Sequence, residues 1–189
     1  MKKKKSINSK IKMIVLFALT AGLSRLCAAR SGGLITLYLA NAQDVTSFTL
    51  NSSTGEYTGV TMVSGKVFYA FDFKQDTGER KETGKMTNGA FSVEHMIDVY
   101  IEDQTQTTRN RMQDIADAST CGMVAIVKDA NARMWVVGYN EKFNLQRPLK
   151  LDTNSGVSGK AFTDPNGSTV QLKSTDNEYD RTFTGTVPV

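Results

Sequence analysis

The chain has 189 residues, 40% hydrophobic and 22% charged, which suits one well-filled domain and is short for two. Its formal net charge is +4, yet six of the 23 basic residues (Lys2, Lys3, Lys4, Lys5, Lys10 and Lys12) fall in the first twelve positions, where no acid occurs. The rest carries 17 basic against 19 acidic residues, a balance that argues against a surface built to grip nucleic acid, since phosphate neutralisation needs clustered Lys and Arg.

The amino terminus admits two readings. Four lysines, the 11-residue apolar run from Met13 to Leu23, and Cys27-Ala28-Ala29 as a small-residue cleavage site together look like a secretory signal. The run is too short to span a bilayer, and Arg25 and Leu26 stand where a lipoprotein signal needs small residues. Alternatively, residues 1–12 are a basic disordered extension or a mis-assigned start, and residues 13–189 form a single β-rich domain that includes Val15 to Leu26. Composition leaves both open.

After Gly32-Gly33, Leu34 to Ala40 has strand character, and Asn41 to Asp44 reads as a turn. Val45 to Leu50 and Tyr57 to Met62 form an expected strand pair around a polar loop at residues 51–55. Val67 to Phe73 is expected as a strand, with Val67, Tyr69, Phe71 and Phe73 sharing one face. Gln75 to Gly89 is polar and lacks apolar periodicity. It is a flexible loop or the end of a long hairpin; fifteen residues without structure are unusual in a compact domain, which favours a hairpin whose tip orders on a partner. The tip is placed at Thr77, Gly78, Glu79, Arg80, Lys81, Glu82, Thr83, Gly84 and Lys85.

Phe91 to Glu102 is the clearest element. Phe91, Val93, His95, Ile97, Val99 and Ile101 alternate with Ser92, Glu94, Met96, Asp98, Tyr100 and Glu102, so the first set faces a core. At about 3.3 Å per residue it would reach roughly 40 Å, twice the usual strand length, which suits a barrel wall or an assembly surface. Glu94, Asp98 and Glu102 on its outer face are candidates for a lumen or an inter-subunit surface. Glu94 and Asp98 lie about 13 Å apart by strand rise, too wide for a retaining carboxylate pair.

Thr105 is the expected N-cap of a helix from Gln106 to about Asp117, with Met112, Ile115 and Ala116 as its apolar stripe and Arg111 paired to Asp114. Met123 to Val127 and Met134 to Tyr139 are apolar on successive residues, as in strands covered on both faces, with Asp129 to Ala132 as their loop and Trp135 as core anchor. Leu149 to Leu151, Ser158 to Phe162, Thr169 to Leu172 and Thr182 to Val187 give further short strands, with a turn at Asp164-Pro165-Asn166-Gly167. The result is a mainly β (α+β) domain of ten or so strands with one helix and no internal repeat.

Enzymatic chemistry is missing. No nucleophile elbow, P-loop, paired-histidine zinc motif or dinucleotide fingerprint occurs. Ser155-Gly156-Val157-Ser158-Gly159-Lys160 has too few residues between its glycines for a P-loop, and Ala161 stands where Ser or Thr should follow. His95, the single histidine, is expected as a buried hydrogen-bonded or interface residue, because no second His or Cys cluster accompanies it. Cys27 and Cys121 are expected free and packed, since nothing in their spacing requires a disulfide. No catalytic residue, metal or cofactor is assigned.

With those residues laid out, the chain resembles phage major tail (tail tube) proteins, especially those of phages of Bacteroidetes bacteria. The matching stretches are Cys27 to Leu34, Leu37 to Ala40, Val45-Thr46-Ser47, Gly65 to Tyr69, Ile115 to Ala118, Val124 to Asp129 and Gly159 to Gly167. They run from about residue 20 to 189 and rest on order and spacing rather than on one motif. The resemblance implies a β-sandwich or barrel-like subunit with one flanking helix. Such subunits assemble as six-fold rings stacked into a tube through which genomic DNA passes, with a long hairpin reaching the adjacent ring. It implies self-association, contact with other tail proteins, no membrane partner, and a place in the virion after assembly in the host cytoplasm. It also implies that Thr20 to Ala29 is structural, while residues 1–12 depart from the family pattern. The rival expectations are another virion protein, such as a tail terminator or head decoration protein, or a secreted or periplasmic β-sandwich binding module.

Overall fold

A computed structural model describes residues 22, 30–141 and 147–189. The expectations for residues 1–29, Gly22 apart, therefore lie outside the described residues, Cys27 included. In chain order the elements are β1 (Leu34–Asn41), a 3₁₀ turn (Ala42–Asp44), β2 (Val45–Leu50), β3 (Tyr57–Met62), β4 (Tyr69–Phe71), β5 (Glu79–Thr87) and β6 (Ala90–Ile101). Then follow α1 (Gln106–Ala118), β7 (Met123–Asp129), β8 (Met134–Val137), β9 (Lys150–Val157), β10 (Gly167–Asp176) and β11 (Arg181–Phe183). The fold is mainly β with one α-helix among the described residues, the class that the sequence periodicity indicates.

The strands form two sheets, ordered β2-β3-β11-β8-β7-β1-β4 and β5-β6-β10-β9. In the larger sheet β7 is central, antiparallel to β1 and β8, and Met123 to Val127 are all buried. This satisfies the continuous apolar run, because each face of β7 meets a different core. On one face Ala125 and Val127 pack with Leu37, Ile97, Val99, Met112, Ile115, Val170 and Leu172, so the first core lies between the two sheets and under the helix. On the other face Val124 and Ile126 join Val45, Phe48, Tyr57, Phe68, Tyr139 and Phe183. Of these, Val45, Phe48, Tyr57 and Phe183 come from β2, β3 and β11 at the opposite end of the same sheet. The sheet therefore curls over itself, and Phe48 closes the curl with its ring 4.7 Å from that of Tyr139 and 5.1 Å from that of Tyr57. Each fully buried aliphatic side chain of this kind stabilises the fold by about 1.5–3 kcal/mol.

The helix forms as its sequence dictates. The Thr105 hydroxyl accepts from the Thr108 N–H, Met112 and Ile115 are buried, and Arg111 donates to Asp114 at 3.0 Å. Four local expectations are corrected. Only Tyr69–Phe71 of the Val67 to Phe73 stretch is strand, and the buried residue is Phe68 rather than Tyr69, since a three-residue edge strand does not impose one parity on its flanks. Ser158 to Phe162 lies in a loop with Phe162 fully exposed, and the polar stretch Lys150–Val157 is the strand instead. Trp135 is only partly buried. Cys121 is free but exposed rather than packed.

Candidate functional site

The long hairpin and the sheet that carries it hold every residue the sequence nominates except Glu102. Glu79 to Thr87 pairs with Ala90 to Asp98 without interruption, and the turn is Asn88-Gly89, with φ of +51° and +78°. Two adjacent left-handed residues make the tight turn whose twist matches a hairpin, and Asn-Gly is the pair that adopts it most readily. The hairpin expectation is thus correct, but the tip is displaced. Glu79 to Lys85 form the first strand of the hairpin, and Thr77 and Gly78 form its base, where the Gly78 carbonyl accepts from the Leu34 N–H at 3.0 Å. From Thr83 to Phe91 every residue is exposed, including Met86 at 65%. The unpacked end of the hairpin is therefore Lys85 to Ala90.

The alternation of β6 holds, with Val93, His95, Ile97 and Val99 buried. Its outer face is not an acidic stripe. Cross-strand neighbours place Thr83 and Thr175 beside Glu94, Glu79 and Gln171 beside Asp98, and Lys81 and Lys173 beside Met96. Gln171 donates to Asp98 at 3.1 Å, and Lys173 pairs with Asp152 at 3.0 Å. Glu102 lies beyond the strand and is held by Lys74. The face is polar and mixed in charge, and the three acids do not form a continuous stripe on it. The sequence shows one strand's face, and the register supplies the lysines.

The chemistry that sequence reasoning missed lies on the inner side of the same hairpin. Arg80 and Glu82 on β5 meet His95 on β6 and Asp180 in the loop between β10 and β11. Arg80 Nη1 is 2.7 Å from Glu82 Oε2 and 2.9 Å from Asp180 Oδ2. The other oxygens turn to the histidine, whose Nδ1 lies 3.0 Å from Asp180 Oδ1 and 3.6 Å from Glu82 Oε1. His95 Nε2 is 3.1 Å from the Glu178 carbonyl, which fixes it as a donor. The Asp180 N–H donates to Glu82 Oε1 at 2.8 Å, and the Arg80 guanidinium lies over the Trp135 ring at 4.2 Å.

The side chains of His95 and Asp180 are 3% and 4% exposed, so their charges are poorly hydrated. Burial alone would lower the His95 pKa, but the neighbouring carboxylates, Asp180 foremost, outweigh it and hold it above its ordinary value. Burial pushes the Asp180 carboxyl up, against the pull of His95 and Arg80. Although close, the Nδ1 contact with Asp180 is not in hydrogen-bond geometry, and Nδ1 has no hydrogen-bond partner; the contact is electrostatic.

The loop bearing Asp180 also packs farther along the same face of the hairpin. Tyr179 packs on Phe91, ring centroids 5.5 Å apart, and crosses Gly84, where a Cβ would come within 2.7 Å of the Tyr179 hydroxyl. Residues 177–180 thus strap the hairpin from Arg80 as far as Phe91, short of its turn. No protein-family model, curated protein or solved structure matches the chain.

Proposed function

We propose that the chain is a non-enzymatic structural subunit that polymerises into stacked rings forming a phage tail tube. The observation that carries this reading is the small sheet. Among the described residues its two outer strands, β5 with nine residues and β9 with eight, each have one unpaired side. A sheet open on both edges can continue into the sheets of two neighbours, which closes a ring by β-augmentation. Charged and polar residues along both edges (Glu79, Lys81 and Lys85 on one side, Asp152 to Ser155 on the other) restrict such pairing to a matching register.

The exposed hairpin end at Lys85 to Ala90 supplies a second contact, suited to the adjacent ring. The order and spacing of the tail-tube-like stretches in the sequence support the same reading. A weakly acidic body with a mixed-charge sheet face also suits a channel that must let phosphates slide rather than bind. The test is negative-stain microscopy of the purified full chain at high concentration. Rings or tubes are expected; a strict monomer at every concentration overturns the reading.

A further inference from the structure

We propose that Glu82, His95 and Asp180 form a binding site for one divalent transition-metal ion of the zinc class. The inference rests on the hairpin cluster alone and stands whether or not the chain forms tubes.

One ligand atom from each residue lies within 4.8 Å of the other two. His95 Nδ1 is 3.0 Å from Asp180 Oδ1 and 3.6 Å from Glu82 Oε1. With the third separation no more than 4.8 Å, a point equidistant from the three lies about 1.9–2.4 Å from each, a range that includes the zinc bond to nitrogen or carboxylate oxygen. Each ligand is also oriented by a partner behind it, as metal ligands generally are. Arg80 holds Glu82 Oε2 and Asp180 Oδ2, which leaves Oε1 and Oδ1 facing inward. Glu82 Oε1 is further fixed by the Asp180 N–H. His95 Nε2 donates to the Glu178 carbonyl, so in the neutral imidazole Nδ1 carries the lone pair that faces the carboxylates.

Two observations distinguish this from an ordinary buried ion-pair cluster. Nδ1 is buried and, although it faces Asp180 Oδ1 at 3.0 Å, makes no well-aligned hydrogen bond to it or to Glu82. A metal ion bound at Nδ1 and touching both oxygens has no such directional requirement. The charge balance points the same way. Asp176, 8% exposed, lies within electrostatic reach of His95, so three carboxylates stand against the single guanidinium of Arg80. A divalent ion with neutral His95 makes the buried group neutral overall. The imidazole nitrogen favours zinc and its neighbours in the first transition row over magnesium or calcium, which take oxygen ligands. The ion would tie both strands of the hairpin to the strap at residues 177–180.

The test uses the full chain stripped with chelator, then titrated with ZnCl2 and, separately, MgCl2, and followed by calorimetry and thermal unfolding. One zinc per chain is expected, with Tm raised by about 5–10 °C at a hundredfold excess over Kd, and no response to magnesium. His95→Gln and Glu82→Gln should each weaken zinc binding at least tenfold, while Cys121→Ser, which removes an exposed thiol, should bind as the parent does. Circular dichroism checks that each variant is folded, and Co2+ substitution gives a second readout, with absorption bands of a nitrogen–oxygen site rather than a thiolate site. A folded parent that binds no zinc, or full binding retained in folded Glu82→Gln, overturns the proposal.

Discussion

The Arg80 guanidinium lies 4.2 Å above the ring of Trp135, and through this contact the first strand of the hairpin is fixed to β8 of the other sheet. The same nitrogen that bridges Glu82 and Asp180 belongs to this stacked group. Arg80→Ala removes the stack and leaves the buried Asp180 and the largely buried Glu82 carboxylates without their cation. A loss of about 3 kcal/mol is expected, read as a lower urea midpoint. Trp135 is the only tryptophan, so its fluorescence reports the loss directly. Arg80→Lys keeps a charge but not the planar stack and should fall between the two.

The far end of the hairpin should separate folding from assembly. Met86 is 65% exposed, so Met86→Glu is expected to change monomer stability by no more than about 0.5 kcal/mol. Under the tube reading it should shorten or abolish tubes seen by microscopy. Tubes of normal length from this variant would remove the hairpin end from the assembly contacts.

A third expectation concerns the turn between β7 and β8. Asp129 Oδ1 accepts the N–H groups of Asn131 and Arg133 at 2.8 and 2.9 Å, and Trp135 Nε1 reaches Oδ2 at 3.4 Å. Burial pushes the Asp129 carboxyl up, but these donors outweigh it and hold it below its ordinary value of 3.8. A depressed folded pKa means stability that is fully present above the ordinary value and is lost as pH falls through the folded one. Asp129→Asn should therefore be less stable than the parent by about 1–2 kcal/mol at neutral pH. The gap should narrow as pH falls below the ordinary carboxylate value of 3.8, as measured by thermal unfolding at successively lower pH.

In the same turn Ala132 sits at φ +62°, a region that a side chain disfavours and glycine does not. Ala132→Gly is expected to raise stability by about 0.5 kcal/mol, measured by chemical unfolding.

The last expectation tests the outer face of the small sheet. Glu94→Lys together with Asp98→Lys would turn a balanced surface basic without touching a buried group. If that face lines a channel, rings should still form while DNA ejection slows, with the effect weakening as salt is added. Glu102 is left out because Lys74 already neutralises it. Unaltered ejection would put the face on the outside.

What could be read from the sequence followed from periodicity and local chemistry. Val93 to Val99 alternate because one face of β6 is buried, and the Thr105 cap needs only its own next three residues. Where pairing rather than pattern creates an element, the sequence is mute. Lys150–Val157 and Glu79–Thr87 carry almost no apolar signal, and each is a strand because β10 or β6 offers it a ladder. The buried cluster is hidden for the same reason. Arg80 and Asp180 stand 100 residues apart, and only the strap before β11 brings them together. A search for a second His or Cys near His95 finds nothing, because the groups around it are carboxylates, one on the paired strand β5 and one in the loop before β11.

Both cores are filled by side chains of one chain, the curled sheet closing the second on itself. If a subunit with such cores becomes native before it meets a neighbour, its unfolding midpoint should not change with its own concentration, unlike that of an obligate oligomer. Folded copies could then accumulate as a soluble reserve, and the onset of polymerisation would be set by nucleation at a template instead of by the rate at which chains mature.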